Sequence, residues 1–193
     1  MTTAGSVERK VWTEAELQAL PDDGYSYDVV DGELVLTPKN GAYHADICVQ
    51  VLTALRLYAK AHELGAVFDC GTGFWMQSRN CRAPDVSFVG RERLQALDIT
   101  RHTRTFFPGA PDLAVEVLSP NDTRRDTDQR LRDFFGSGTQ IAWIINPDTE
   151  YVEVCHSPDK RKLLGPGADL DGEHLLPGFR YPIADLFKGW DWE

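Results

Sequence analysis

A single α/β domain with an N-terminal β-hairpin is what this sequence predicts, and three observations carry that expectation. Residues 42–64 place apolar side chains at helical intervals. Short apolar runs at 85–89, 112–118 and 141–145 have the length and composition of buried strands. Asp31-Gly32 joins two β-prone runs.

The elements follow in order. Residues 1–10 read as a flexible leader. Thr13 with Glu16 three positions later is a capping-box pattern for a short helix, which Pro21-Asp22-Asp23-Gly24 stops. Residues 25–37 form the hairpin around Asp31-Gly32, the strongest short-range turn signal in the chain. In residues 42–64, Ile47, Val51, Leu55 and Tyr58 recur every three or four positions, Leu52 widens the stripe, and Gly65 marks the stop. Strands are expected at 66–70, 74–77 and 85–89, followed by a polar loop over 91–109 that holds Arg91, Arg93, Arg101, His102 and Arg104. A strand at 112–118, a helix at 123–137, and strands at 141–145 and 151–155 come next. The tail carries Leu175-Leu176 and an amphipathic end over 183–192.

Composition narrows the function. The chain has 193 residues, 42% hydrophobic and 26% charged, which suits one well-filled soluble core. Its formal net charge of −10 repels polyanions at long range, so a nucleic-acid partner needs a local basic patch or bound divalent cations. Four widely spaced cysteines, with no Cys-x-x-Cys pair, argue against a zinc cluster or a disulfide framework. The first residues lack a signal-peptide core, and no apolar run has the length to span a bilayer. The expected setting is cytoplasmic, with no membrane partner.

Two acids stand out because of where they lie. Asp85 is in Ala-Pro-Asp-Val-Ser-Phe-Val and Glu116 in Asp-Leu-Ala-Val-Glu-Val-Leu, both strand-like and apolar. A carboxylate in such a strand loses water, and its charge needs a metal, a cation or hydrogen bonds to offset that loss. Strand alternation puts Glu116 with Asp112 and Ala114 on one face, near the strand's C-terminal end, where open α/β sheets place ligands. Ser119-Pro-Asn-Asp then breaks the strand and offers Asn121 or Asp122 as a helix N-cap. In that helix Arg130 flanks the core stripe of Leu131, Phe134 and Phe135. Asp85 and Glu116, with the backbone carbonyl of Val117, supply half a shell of hard oxygens of the kind magnesium or manganese takes.

Simpler readings compete with each assignment. Asp85 can be a strand-entry turn residue after Pro84, and Glu116 an exposed residue on an edge strand. Arg130 can pair with Asp126 one turn earlier, Asp28 can be ordinary hairpin polarity, and His44 can cap the long helix or contact phosphate. Gly71-Thr72-Gly73 is too short for a phosphate-cradling loop, and no Gly-x-Ser-x-Gly elbow exists.

Several segments together resemble the Uma-two family of restriction endonucleases, a branch of the PD-(D/E)XK nuclease superfamily. They are Leu20-Pro-Asp-Asp-Gly-Tyr, Asp28-Val-Val-Asp-Gly-Glu-Leu-Val, His44, Ala83-Pro-Asp-Val-Ser-Phe-Val, Pro111-Asp-Leu-Ala-Val-Glu-Val-Leu-Ser-Pro and Trp143-Ile-Ile-Asn-Pro, and they run nearly end to end. The resemblance implies a restriction-endonuclease-like core, a mixed β-sheet flanked by helices. It also implies that Asp85 and Glu116 are the metal-binding acids and that DNA is the partner. Separately, Phe187, Trp190 and Trp192 in the tail can cover a homodimer interface or close the domain's own core. The superfamily lysine is missing from the Glu116 strand, where Leu118 stands, and its displaced counterpart falls at Arg130. Asp28 replaces the family's glutamate, and Asn146 its aspartate before proline. Arginine stabilises negative charge but stays protonated and cannot act as a base. Two outcomes therefore compete: a metal-dependent endonuclease with catalytic Asp85, Glu116, Arg130 and Asp28, and a catalytically silent scaffold that binds nucleic acid or protein. A hydrolase of smaller phosphoesters is a third.

Overall fold

The computed structural model describes residues 10–37 and 39–190. The expected leader, save Lys10, and Trp192 lie outside the described residues. α1 (Glu14–Gln18) opens with the capping box: Glu16 N donates to Thr13 Oγ1 at 3.3 Å, and Thr13 N to Glu16 Oε2 at 2.8 Å. β1 (Ser26–Val30) and β2 (Glu33–Thr37) form the hairpin. Asp31 and Gly32 both take positive φ, 53° and 85°, as a two-residue turn of matching twist requires.

α2 (Ala42–Ala61) buries Ile47, Val51, Leu55 and Ala59. It ends earlier than Gly65 predicts. Glu63 takes the left-handed position (φ 55°), and Leu64 N and Glu63 N turn back to Ala59 O and Lys60 O, a Schellman closure made without glycine.

β3 (Gly65–Asp69), β4 (Phe74–Trp75), β5 (Cys81–Arg82) and β6 (Val86–Gly90) come next. The polar stretch read as loop instead holds α3 (Arg91–Ala96) and β7 (Phe107–Pro108). Leu94, Leu97 and Ile99 tie this segment to the core through apolar contacts that its surface charge concealed. β8 (Leu113–Val117), α4 (Arg124–Gly136), β9 (Ile141–Asn146) and β10 (Tyr151–Cys155) match the expected order. β11 (Arg161–Leu164), β12 (Asp169–Asp171) and β13 (Arg180–Pro182) are short strands that the sequence did not announce. Among the described residues the amphipathic end is helical only over α5 (Ile183–Leu186). Phe187 packs on the core, while Trp190 stays about half exposed at 48%.

The architecture is mixed α/β. A six-stranded sheet of order β11-β10-β9-β8-β6-β3 is parallel only between β8 and β9, and a five-stranded sheet runs β2-β1-β5-β4-β7. Alternation along β8 splits the core. Leu113, Val115 and Val117 pack with α2, while Ala114 packs with Leu131 and Phe134 of α4. Glu116 thus points toward α4 from a central strand, not an edge. No helix among the described residues is long and apolar enough to cross a membrane.

Gly65 pairs with Gly90 across β3 and β6, and a Cβ at Gly65 would meet Val89 O at 2.2 Å. Backbone cannot yield as a flexible side chain can, so Gly65→Ala should destabilise the protein by about 2–3 kcal/mol in urea unfolding. A loss below about 0.5 kcal/mol would show that this edge of the sheet is looser than drawn.

Candidate active site

The site forms where β6 begins and β8 ends. Antiparallel register pairs Val86 with Val115 and Ser87 with Ala114; continued one residue beyond β6 it sets Asp85 across from Glu116, whose carboxyl feels the charge of Asp85. Because β6 starts only at Val86, the Val117 N–H extends past the ladder, and Asp85 Oδ2 accepts it at 2.8 Å. The strand-entry role considered for Asp85 is therefore real, and it aims the carboxylate at the end of the Glu116 strand.

Glu116 is buried at 8% exposure. Burial pushes its carboxyl up to about 8; Arg130 opposes the shift, while the charges of Asp85 and Asp28 add to it. Arg130 reaches in from α4, with Nη1 3.4 Å from Glu116 Oε2 and Nη2 2.8 Å from Asp122 Oδ1. Burial would lower its pKa, but Glu116 and Asp122 more than compensate and raise it, so it is a fixed cation. Its partner is thus not Asp126, whose carboxylate instead bonds the Thr123 hydroxyl. Thr123 is the helix N-cap; Asp122, expected in that role, accepts from Ser119 N and Oγ at 2.8 Å each and holds Arg130 with its other oxygen.

Asp28 joins through Arg82. Arg82 is 5% exposed; it meets Asp133 Oδ2 through Nε (2.9 Å) and Nη2 (2.7 Å), and Asp28 Oδ2 through Nη1 (3.3 Å). Asn80 Nδ2 bonds both oxygens of Asp133 at 2.9 and 3.0 Å. Asp28 lies deep among protein atoms although 21% of its side chain meets solvent, and burial raises its pKa against the opposing charges of Arg82 and Arg130. The hairpin, α4 and the Arg82 strand are therefore locked together by a buried ionic network.

His44, on the first turn of α2, does not cap that helix; Gly41 is the N-cap. Its Nε2 donates to Val117 O at 2.8 Å and lies 3.4 Å from Asp85 Oδ2. Burial lowers its pKa, but the hydrogen bond and charge of Asp85 outweigh that and raise it. Two oxygens, Asp85 Oδ2 and Val117 O, thus converge on one point now served by an N–H donor. One ligand atom each of His44, Cys48 and Asp85 also lies within 4.8 Å of the others.

Asp85, Glu116, Val117, Arg130 and Asp28 all lie in this neighbourhood. His44, expected as a helix cap or a phosphate contact, sits against Val117 and Asp85, and the structure adds Arg82, Asp122 and Asp133. Arg82 carried a weak signal, as a cation three residues before Asp85. Asp122 was visible only as a cap. Arg91 and Arg93 of the polar stretch do not join them: both follow the opposite end of β6 from Asp85, and Arg93 is tied to Asp112 at 3.3 Å.

A mixed sheet flanked by helices, with acids and a fixed cation at its strand ends, defines the class. The chain belongs to the Uma2 family, described as "Putative restriction endonuclease", whose model matches residues 14–184. Its fold is similar to that of a crystal structure from Anabaena variabilis, titled as a "putative nuclease belonging to DUF820". The TM-score is 0.78 at 21% identity, covering 91% of this chain and 97% of that one. No curated protein matches in sequence.

Proposed function

We propose that this protein is a magnesium- or manganese-dependent endonuclease hydrolysing phosphodiester bonds in DNA. One observation carries the reading: buried Glu116 stands opposite Asp85 beside the Val117 carbonyl, with Arg130 against it. The neighbourhood is short of positive charge. Among the described residues, Asp28, Asp85, Glu116, Asp122 and Asp133 are met by the guanidiniums of Arg82 and Arg130 and the imidazole of His44, and a hard divalent cation answers the remaining deficit. Asp85, Glu116 and the Val117 carbonyl would hold it, with His44 beside them.

A bound magnesium or manganese ion supplies a water of lowered pKa and neutralises charge on the attacked phosphate. The chain's own groups do the rest. Arg130, anchored by Asp122, presents its charge where negative charge develops on the phosphate. Being permanently protonated, it takes no proton. Asp28 acts through Arg82 and helps fix the orientation of α4. The cation also lets a chain of net charge −10 approach a polyanion.

Supercoiled plasmid should be nicked in magnesium or manganese and left intact in EDTA. Arg130→Gln should slow nicking about a hundredfold, and Arg130→Lys much less, because it keeps the charge. The scaffold reading draws on a specific fact, the engagement of Arg130 by both Glu116 and Asp122. Calorimetry with manganese separates the two. No nicking, together with no manganese binding that depends on Glu116, would favour the scaffold and end the endonuclease reading.

A further inference from the structure

We propose that His44, Cys48 and Asp85 form a binding site for a thiophilic divalent cation of the zinc class. By taking the Asp85 carboxylate, this ion would block the hard-cation site; only this blocking role rests on the endonuclease reading. One ligand atom from each residue lies within 4.8 Å of the other two; Cys48 Sγ is 3.5 Å from His44 Nδ1, while Asp85 Oδ2 lies 3.4 Å from His44 Nε2, so the carboxylate turns from Nε2 to join an ion held at Nδ1. Ligand atoms around tetrahedral zinc, with bonds of about 2.0–2.3 Å, stand roughly 3.4–3.6 Å apart.

His44 and Cys48 are four residues apart on α2, so one helix face presents both as a rigid chelate. With Nε2–H donated to the Val117 carbonyl, His44 turns the Nδ1 lone pair toward the thiol. That outer bond orients the ring as the second shell of a zinc histidine does. All three side chains are partly buried, which leaves an approach from solvent and room for a water as fourth ligand.

Ligand softness separates the two cations. Magnesium takes oxygens and dehydrates reluctantly, whereas thiolate and imidazole together select zinc. Binding replaces the Cys48 thiol proton, now directed at Nδ1, with the metal; an S–Zn bond forms, the proton leaves to solvent, and nothing is oxidised. Both ions need Asp85, so they compete.

Cobalt(II), which gives thiolate-to-metal charge-transfer absorption, tests the site on the full chain. The band should appear in the wild-type protein, in Cys70→Ser and in Glu116→Gln, and stoichiometric zinc should bleach it. It should vanish in Cys48→Ser, and cobalt affinity should fall about tenfold or more in His44→Gln, with circular dichroism showing each variant folded. No band in the wild-type protein, or a band unchanged in Cys48→Ser, overturns the site. In plasmid nicking, zinc should inhibit, and Cys48→Ser should raise the half-inhibiting concentration about tenfold or more relative to its own zinc-free rate. Inhibition independent of Cys48 overturns the blocking role. A Cys48-dependent band in a protein that never nicks DNA leaves the cation site standing and fells the endonuclease reading; nicking without the band does the reverse.

Discussion

Glu116→Gln should reduce magnesium-dependent nicking by about a hundred- to a thousandfold while making the protein more stable. Both effects follow from one carboxylate. On the proposed endonuclease reading its charge holds the cation, yet it is buried within the field of Asp85 and Asp28. Glutamine keeps the shape and removes the charge, and Arg130 retains Asp122 at 2.8 Å. A gain on the order of 1–2 kcal/mol is expected near pH 8, because the buried carboxyl is raised despite Arg130 and its ionisation then opposes folding.

The gain has a pH signature. The Glu116 carboxyl sits at about 8 in the folded protein against an ordinary 4.5, so between those values the folded state holds the extra proton. The wild-type protein therefore loses stability as pH rises through that window, and Glu116→Gln does not. The stability difference should be larger at pH 8 than at pH 5. The cation binds the ionised form, so manganese binding should strengthen over the same rise and release a proton. Calorimetry in buffers of different ionisation enthalpy measures that proton. Full nicking activity in Glu116→Gln, or a stability gap flat with pH, would show that this carboxylate is neither a ligand nor a strained charge.

The acids were legible because strands report their own alternation. Asp85 and Glu116 broke two apolar runs, and a charge inside such a run has few structural explanations. Helix position alone leaves Arg130 a solvated cation or a partner of Asp126; only the family resemblance points it toward Glu116, which it meets together with Asp122. What surrounds the acids was not legible. Asp122 looked like a cap because caps and ligands of guanidinium use the same short acid, and Thr123 took the cap instead. Arg82 and Asp133 are 51 positions apart and meet only once two sheets and α4 have packed. Local spacing says nothing about such pairs. Likewise the polar, charged run that includes Arg91 and Arg93 predicts a solvated loop where α3 forms, although Leu94 packs on the core.

Arg82→Ala should cost about 3–5 kcal/mol, the largest loss of stability expected from a single substitution here. Arg82 is buried, binds Asp133 through two nitrogens at 2.9 and 2.7 Å, and reaches Asp28 at 3.3 Å. Its removal leaves buried carboxylate charge without a counter-charge, and the polar groups of Asn80 and Ser78 cannot neutralise it. Arg82→Met with Asp133→Leu should cost clearly less than the two single changes added together, because each single change strands the other's charge. Acid should soften the defect. Burial already raises the pKa of Asp28 against the pull of Arg82, and without that guanidinium it rises further. Folding then demands more of the charged form as pH rises, so the deficit of Arg82→Ala should be smaller at pH 5 than at pH 8. Chemical denaturation at both pH values, with the double-mutant cycle, measures this. A single-variant cost under about 1 kcal/mol would mean that solvent reaches this network, and that the hairpin and α4 are not held to β5 by charge.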